Sequence, residues 1–254
     1  MAEFYRNDGG YRVRFPDEGD FLISRQLDAI DVFPAPDAGD EVIERLLHTA
    51  IAPLLGNHQD GLFLHGSAVR IDDQAVAFLG LSRSGKTTLA ASFASHGFPF
   101  LTEDVIDLDF DGDIHWLRPK RTAMRLFPDS ARHILGDRAT NLPTAAKADL
   151  HPESDIAFSG EPAVLRYVFV LGVDHDASTK LTPLRDGQAL ISLMPHAFLL
   201  DVEDKQRLRC HFDRLAAVAE RAECFALDFQ RDFSKLPEVR EAILTEVRKG
   251  HRSQ

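Results

Sequence analysis

The stretch from Ala75 to Ala90, AVAFLGLSRSGKTTLA, constrains this chain more than any other. Five apolar residues of strand length, Ala75 to Leu79, run into a turn bounded by glycines. Thr87 to Ser95 then carries Leu89 and Phe93 at i and i+4 without Pro or Gly, which predicts a helix. Gly80, Gly85, Lys86 and Thr87 fit the spacing G-x-x-x-x-G-K-[ST]. In that arrangement backbone N–H groups cradle a phosphate, the lysine neutralises the β/γ oxygens and the hydroxyl ligates Mg²⁺. The expectation is a nucleotide site, with Gly80, Ser82, Arg83, Ser84, Gly85, Lys86, Thr87 and Thr88 around the phosphates of ATP and Mg²⁺ on Thr87.

Composition narrows the partners. With 254 residues the chain can hold one large domain, or one domain and a small lobe. A formal net charge of −11 argues against nonspecific binding to nucleic acid or to an anionic membrane, so any basic subsite must be local. The start of the chain lacks the apolar core of a signal peptide, and no apolar run approaches the roughly 20 residues of a membrane span, which predicts a cytoplasmic location. Cys210 and Cys224 are too few for a disulfide framework and read as buried free thiols.

Short apolar runs between residues 11 and 33 predict strands with tight turns, and Asp40 to Leu55 has helical spacing that Gly56 is expected to end. Gly61 to Val69 reads as a strand, and Asp72-Asp73 turns the chain into the strand that delivers the loop. After the loop helix, His96-Gly97 is a stop and Phe98 to Thr102 a second apolar strand that ends on Glu103-Asp104. Parallel strands joined by a helix carry both carboxyl ends to one edge, so this pair of acids is expected to face the loop. Asp111-Gly112-Asp113 marks a hairpin, and Pro128 to Leu135 a short helix. From Arg138 to Pro162 periodicity is lost, as expected of a functional or mobile loop. Arg166 to Leu171 reads as a strand buried on both faces, Leu208 to Ala222 as an amphipathic helix, Cys224 to Phe229 as a last strand and Pro237 to Lys249 as a terminal helix.

Phosphoryl transfer needs a phosphate cradle, a metal held by hydroxyl and carboxylate, and an acceptor for the nucleophile's proton. Glu103 and Asp104, only one strand–helix unit beyond Lys86, can supply the last two, with Thr87, Glu103 and Asp104 as the metal set. Arg118, Lys120, Arg121 and Arg125 form a basic cluster in an acidic protein. Arg125 is the candidate phosphate or transition-state clamp, because Met124, Leu126 and Phe127 anchor its neighbours. Arg121 and Lys147 are candidate substrate contacts, Lys147 as a lone base in the aperiodic stretch.

His65-Gly66-Ser67-Ala68-Val69, then Gly80 to Thr88, then Gly97 to Asp104, resemble the kinase domain of HPr kinase/phosphorylase, and most of all its smaller relatives. The loop is also similar to that of the phosphoenolpyruvate carboxykinases. The matching motifs cover roughly residues 61–136. The resemblance implies an α/β fold with a P-loop core of the HPr kinase/PEP carboxykinase type, a mixed sheet and a small N-terminal β/α lobe, divided as a lobe over 1–60 packed on a kinase domain over 61–254. It implies an ATP-dependent kinase acting on a serine or threonine hydroxyl of a protein or ribosomal peptide precursor, lasso peptide precursors included. It also implies that His65 lies near the transferred phosphate, that Asp104 is the base and that Glu103 helps to hold the metal's water shell. A homo-oligomer stays open. Arg83 departs from the family by replacing a loop glycine, and Glu103 by replacing the first aspartate.

Two rival readings remain. One is a small-metabolite kinase, favoured if the basic cluster closes a deep pocket. The other is a nucleotide-gated interaction protein in which Arg83 and Glu103 mark a loop that binds ATP and transfers poorly.

Overall fold

The computed structural model describes residues 2–139, 143, 147–151, 155–174, 176–185 and 187–251. The chain divides into two compact units, Met1–Phe63 with Phe198–His211, and Leu64–Ala197 with Phe212–Gln254.

In the first unit β1 (Glu3–Asn7), β2 (Gly10–Phe15), β3 (Gly19–Ser24) and β4 (Ile30–Pro34) form an antiparallel meander in chain order. Period-two alternation decides its faces. Val13 lies opposite Phe21, and both are buried with Ile23, while Arg12 and Arg14 reach Asp20. The buried face packs on Leu46, Ile51 and Leu54 of a helical segment made of α1 (Asp40–Leu46), a π-helical turn (Leu47–Ile51) and α2 (Ala52–His58). The helix therefore runs on past Gly56. A Cβ there would stand 2.3 Å from the Phe63 ring, so this glycine serves close packing and not termination.

The second unit holds a mixed eight-stranded sheet with helices. In chain order its elements are β5 (Leu62–Ile71), β6 (Gln74–Leu79), α3 (Lys86–Ala94), β7 (Phe100–Thr102), β8 (Val105–Phe110), β9 (His115–Arg118), β10 (Met124–Leu126), α4 (Pro128–Leu135), β11 (Ala148–Leu150), β12 (Ala163–Leu171), β13 (Lys180–Leu184), α5 (Gly187–Leu193), α6 (Lys205–Arg221), β14 (Glu223–Asp228) and α7 (Leu236–His251). β5 and α6 each begin in the first unit. The sheet order is β13-β14-β12-β6-β5-β8-β9, with β7 also on β5 and β9 returning to pair with β12. β6, β12 and β14 run parallel, so their carboxyl ends share one edge. β13 lies at an edge, where Pro183 costs no interior ladder bond.

α3 is buried almost all round, with Leu89, Ala90, Phe93 and Ala94 against Phe78, Phe169 and the α7 residues Val239 and Ile243. Gly97, at φ +88°, ends it in the left-handed conformation that glycine adopts without penalty. Cys224 is buried as expected, whereas Cys210 is exposed, since it falls on the outward face of α6. Among the described residues no helix is long and apolar enough to cross a membrane.

Candidate active site

The loop between β6 and α3 depends on two glycines in conformations that side chains disfavour. Gly80 has φ +154°, and a Cβ there would stand 2.5 Å from Ser84 Oγ; Gly85, at φ +94°, opens α3. Arg83 also lies in the left-handed region, at φ +65°. A non-glycine residue there costs roughly 1 kcal/mol, so the position where the resemblance expects glycine has the backbone that glycine suits.

The acid pair reaches this loop by way of an intervening strand. β7 does not pair with β6; β5 stands between them and pairs with both in the antiparallel sense. Two antiparallel steps restore the direction, so β7 still runs the same way as β6. β7 and β8 both pair with β5, and Glu103 and Asp104 occupy the interruption between them. Thr102 Oγ1 donates to the Val105 carbonyl at 2.6 Å and Asp104 has φ +62°, a kink that lifts both acids out of the ladder. Gly66 pairs with Leu79, and its N–H donates to the Asp104 carbonyl at 3.3 Å, so Asp104 stands level with the last residue before the loop.

Contacts then join loop and acids. Thr87 Oγ1 donates to Glu103 Oε1 at 2.9 Å, and the Arg125 backbone N–H donates to Glu103 Oε2 at 2.7 Å. Glu103 is 5% exposed. Burial first, and the adjacent Asp104 charge second, push its carboxyl up to about 8. His65 Nδ1 bonds the Asp104 carbonyl at 2.9 Å. A carbonyl only accepts, so the proton sits on Nδ1 and the lone pair on Nε2. Burial and the nearby Lys86 charge favour that neutral ring. Lys86 Nζ donates to the carbonyls of Gly80 and Leu81 at 2.9 and 3.0 Å, and burial lowers its pKa against the opposing pull of Asp104.

These groups line a cavity of about 690 Å³. Ser82, Arg83, Gly85, Lys86, Thr87 and Thr88 face it from the loop, and His65, Asp104, Arg125 and Lys147 from around the acids. Gly80, Ser84 and Glu103 lie behind that surface, Ser84 at 4% exposure under the loop. The basic cluster does not converge. Arg118 pairs with Asp109 across the hairpin, Arg121 is exposed and does not line the cavity, and Arg125 alone of the four lines it, held by Asp149 at 3.3 Å. Lys147 arrives because β11 pairs with β10, with its Nζ 5.3 Å from the centre of the Phe127 ring. The remainder of the aperiodic stretch 138–162 falls partly outside the described residues.

Among the described residues no three His, Cys, Asp or Glu side chains form a metal cage. Mg²⁺ does not demand one, since it binds through one or two carboxylates, phosphate oxygens and water. Thr87 Oγ1 beside the Glu103 carboxyl, which would give up its proton on binding a cation, with Asp104 next to it, is a hard oxygen set of that kind. These residues therefore fit the ion.

Several lining residues carry no motif. Phe229, Arg231, Asp232, Phe233 and Leu236 come from the segment after β14. The available signal was topological, because the carboxyl end of a parallel strand neighbouring β12 lies on the same edge as the loop.

No protein-family model matches this chain, and no curated protein matches it. Among solved structures it is similar to the HPr(Ser) kinase/phosphatase from Coxiella burnetii, at a TM-score of 0.41 and 11% identity, over 75% of this chain and 98% of that one. A likeness of that degree carries no argument about chemistry, which rests on the residues themselves.

Proposed function

We propose that this chain is an ATP-dependent kinase with an HPr-kinase-like P-loop core, and that it transfers the γ-phosphate to a serine or threonine hydroxyl of a protein or peptide. The observation that carries the reading is the hydrogen bond from Thr87 to Glu103, which joins the end of a phosphate-type loop to an acid pair from another strand. Loop amides and Lys86 suit the phosphates, with Lys86 leaving the Gly80 and Leu81 carbonyls for phosphate oxygens. Thr87, Glu103 and Asp104 suit Mg²⁺, which when bound neutralises charge on the phosphate oxygens.

Asp104 lines the cavity and Glu103 lies behind it, so Asp104 is the acid positioned to meet an acceptor hydroxyl. The hydroxyl oxygen attacks the γ-phosphorus, the bond to the β,γ-bridging oxygen breaks, ADP leaves, and the hydroxyl proton passes to the Asp104 carboxylate. Neutral His65, hydrogen-bonded to the Asp104 carbonyl, positions that residue, and Arg125 and Lys147 offset the charge of the transferring group. The absence of Arg118 and Arg121 from the cavity lining speaks against the small-metabolite reading, which needed the cluster to close a pocket.

Incubation with labelled ATP, Mg²⁺ and a lysate of the host tests the proposal. A polypeptide band whose label survives acid and is lost in base, and that is absent with Lys86→Ala, is the expected result; a lasso peptide precursor is one acceptor of that class. Label confined to small metabolites would overturn the acceptor assignment.

A further inference from the structure

The cavity has a second end, and its chemistry differs from that of the acid corner. Phe229, Arg231, Asp232, Phe233 and Leu236 wall it, with Asp129 and Ser130 from the start of α4. We propose that this end is a nucleoside subsite in which the base of the bound nucleotide stacks on the ring of Phe233. The inference rests on the phosphate-loop reading above.

Two consecutive hydroxyls set the direction. Thr87 donates to Glu103, whereas Thr88 donates to Ser130 Oγ at 3.3 Å. Neighbouring residues on a helix point about 100° apart, so these side chains diverge, Thr87 toward the acids and Thr88 toward α4. The γ-phosphate belongs at the acid end, which leaves the nucleoside for the end marked by Ser130. The segment after β14 also lies close to the loop: a Cβ on Gly85 would stand 3.9 Å from Arg231 Cδ and 4.0 Å from Phe229 Cζ.

The charges agree. Asp129 and Asp232 offer carboxylates that repel phosphate and accept hydrogen bonds from ribose hydroxyls or a base amine. The two terminal nitrogens of the Arg231 guanidinium are engaged by the protein itself, and its Nε is buried out of reach without a partner among the described residues. The guanidinium donates to the carbonyls of Phe229 at 3.1 Å and Gly172 at 2.8 Å, and lies 3.7 Å from the centre of the Phe229 ring. What remains for a ligand is a half-buried aromatic surface. Phe233 stacks on His133 with ring centres 4.9 Å apart and planes 14° apart. His133 does not line the cavity, so it backs the ring and holds it in place. Phe127, the other aromatic at the rim, is already flanked by Arg83 and Lys147.

Calorimetry with Mg²⁺ and either ATP or inorganic tripolyphosphate separates the base from the phosphates. Phe233→Leu keeps an apolar side chain against the core and removes the stacking face. It should weaken ATP binding by about ten-fold and leave tripolyphosphate unchanged, while Phe233→Trp should bind ATP as the wild type does. The subsite is overturned if Phe233→Leu binds ATP normally, if it loses both ligands equally, or if Phe127→Leu shows the selective loss instead. Lys86→Ala is the separate arm. If it binds both ligands as tightly as wild type, the phosphate-loop reading falls and the subsite with it.

Discussion

At the acid end of the cavity, polar groups from β5, α3, β10 and the β7–β8 interruption bond to one another: Thr87 to Glu103, the Arg125 backbone N–H to Glu103, His65 to Asp104. At the far end, aromatic rings and two carboxylates from α4 and the segment after β14 present apolar surface, with the one arginine engaged on backbone carbonyls. The first end has charge and preset geometry, which suits a step in which charge develops. The second has a flat surface and acceptors, which suits recognition of a neutral ring. Changes at the first end should therefore act on turnover, metal and phosphate, and changes at the second on the base alone.

An acid-side effect on stability should come from His196, beside the acid end. It is buried, and burial first, with the charges of Lys86 and His65 after it, depresses its pKa to about 4. The unfolded chain takes up that proton near pH 6.5, so the contribution of His196 to stability is full above 6.5 and is lost as pH drops toward 4. The loss at pH 4 is roughly 3 kcal/mol. Urea unfolding from pH 8 to 4 should show a shallower acid loss in His196→Phe; parallel curves would contradict the assignment.

Lys86→Ala should weaken binding of ATP and tripolyphosphate alike by on the order of 10²-fold, the worth of two charge-assisted hydrogen bonds. A loss confined to ATP would reverse the assignment of the two ends. Glu103→Gln should raise the Mg²⁺ concentration for half-maximal rate by roughly ten-fold or more, as expected of a group that orients a metal's shell. An unchanged Mg²⁺ requirement would remove Glu103 from that role. The Phe233→Leu effect, about ten-fold and limited to the ligand that carries a base, is the smallest.

The acid end was largely legible in the sequence and the far end was not. Gly80, Gly85, Lys86 and Thr87 fall in one short local motif, and the glycine conformations follow from residue type, as Gly85 at φ +94° illustrates. The acids were legible as a pair, but not their mounting. Phe98 to Thr102 reads as a strand parallel to β6, and only long-range pairing inserts β5 between them. The basic run 118–125 misled because proximity along a hairpin exit is not convergence, and Arg118 turns to Asp109 instead. β11 was invisible, since three residues, Ala148–Leu150, are too few to show a period, yet that strand delivers Lys147. Phe233 and His133 meet only through tertiary packing, so no local spacing links them.

In the proposed reaction Asp104 takes the acceptor's proton, while the loop and Lys86 hold the nucleotide's phosphates. Asp104→Asn is a clean probe, because asparagine tolerates the φ of +62° found there. Turnover and ATP affinity should be measured together on this variant. Turnover should fall by roughly 10²–10⁴-fold, with ATP affinity measured without metal changing little. Transfer at the wild-type rate would contradict it, and the nucleotide-gated interaction protein would then be the better reading.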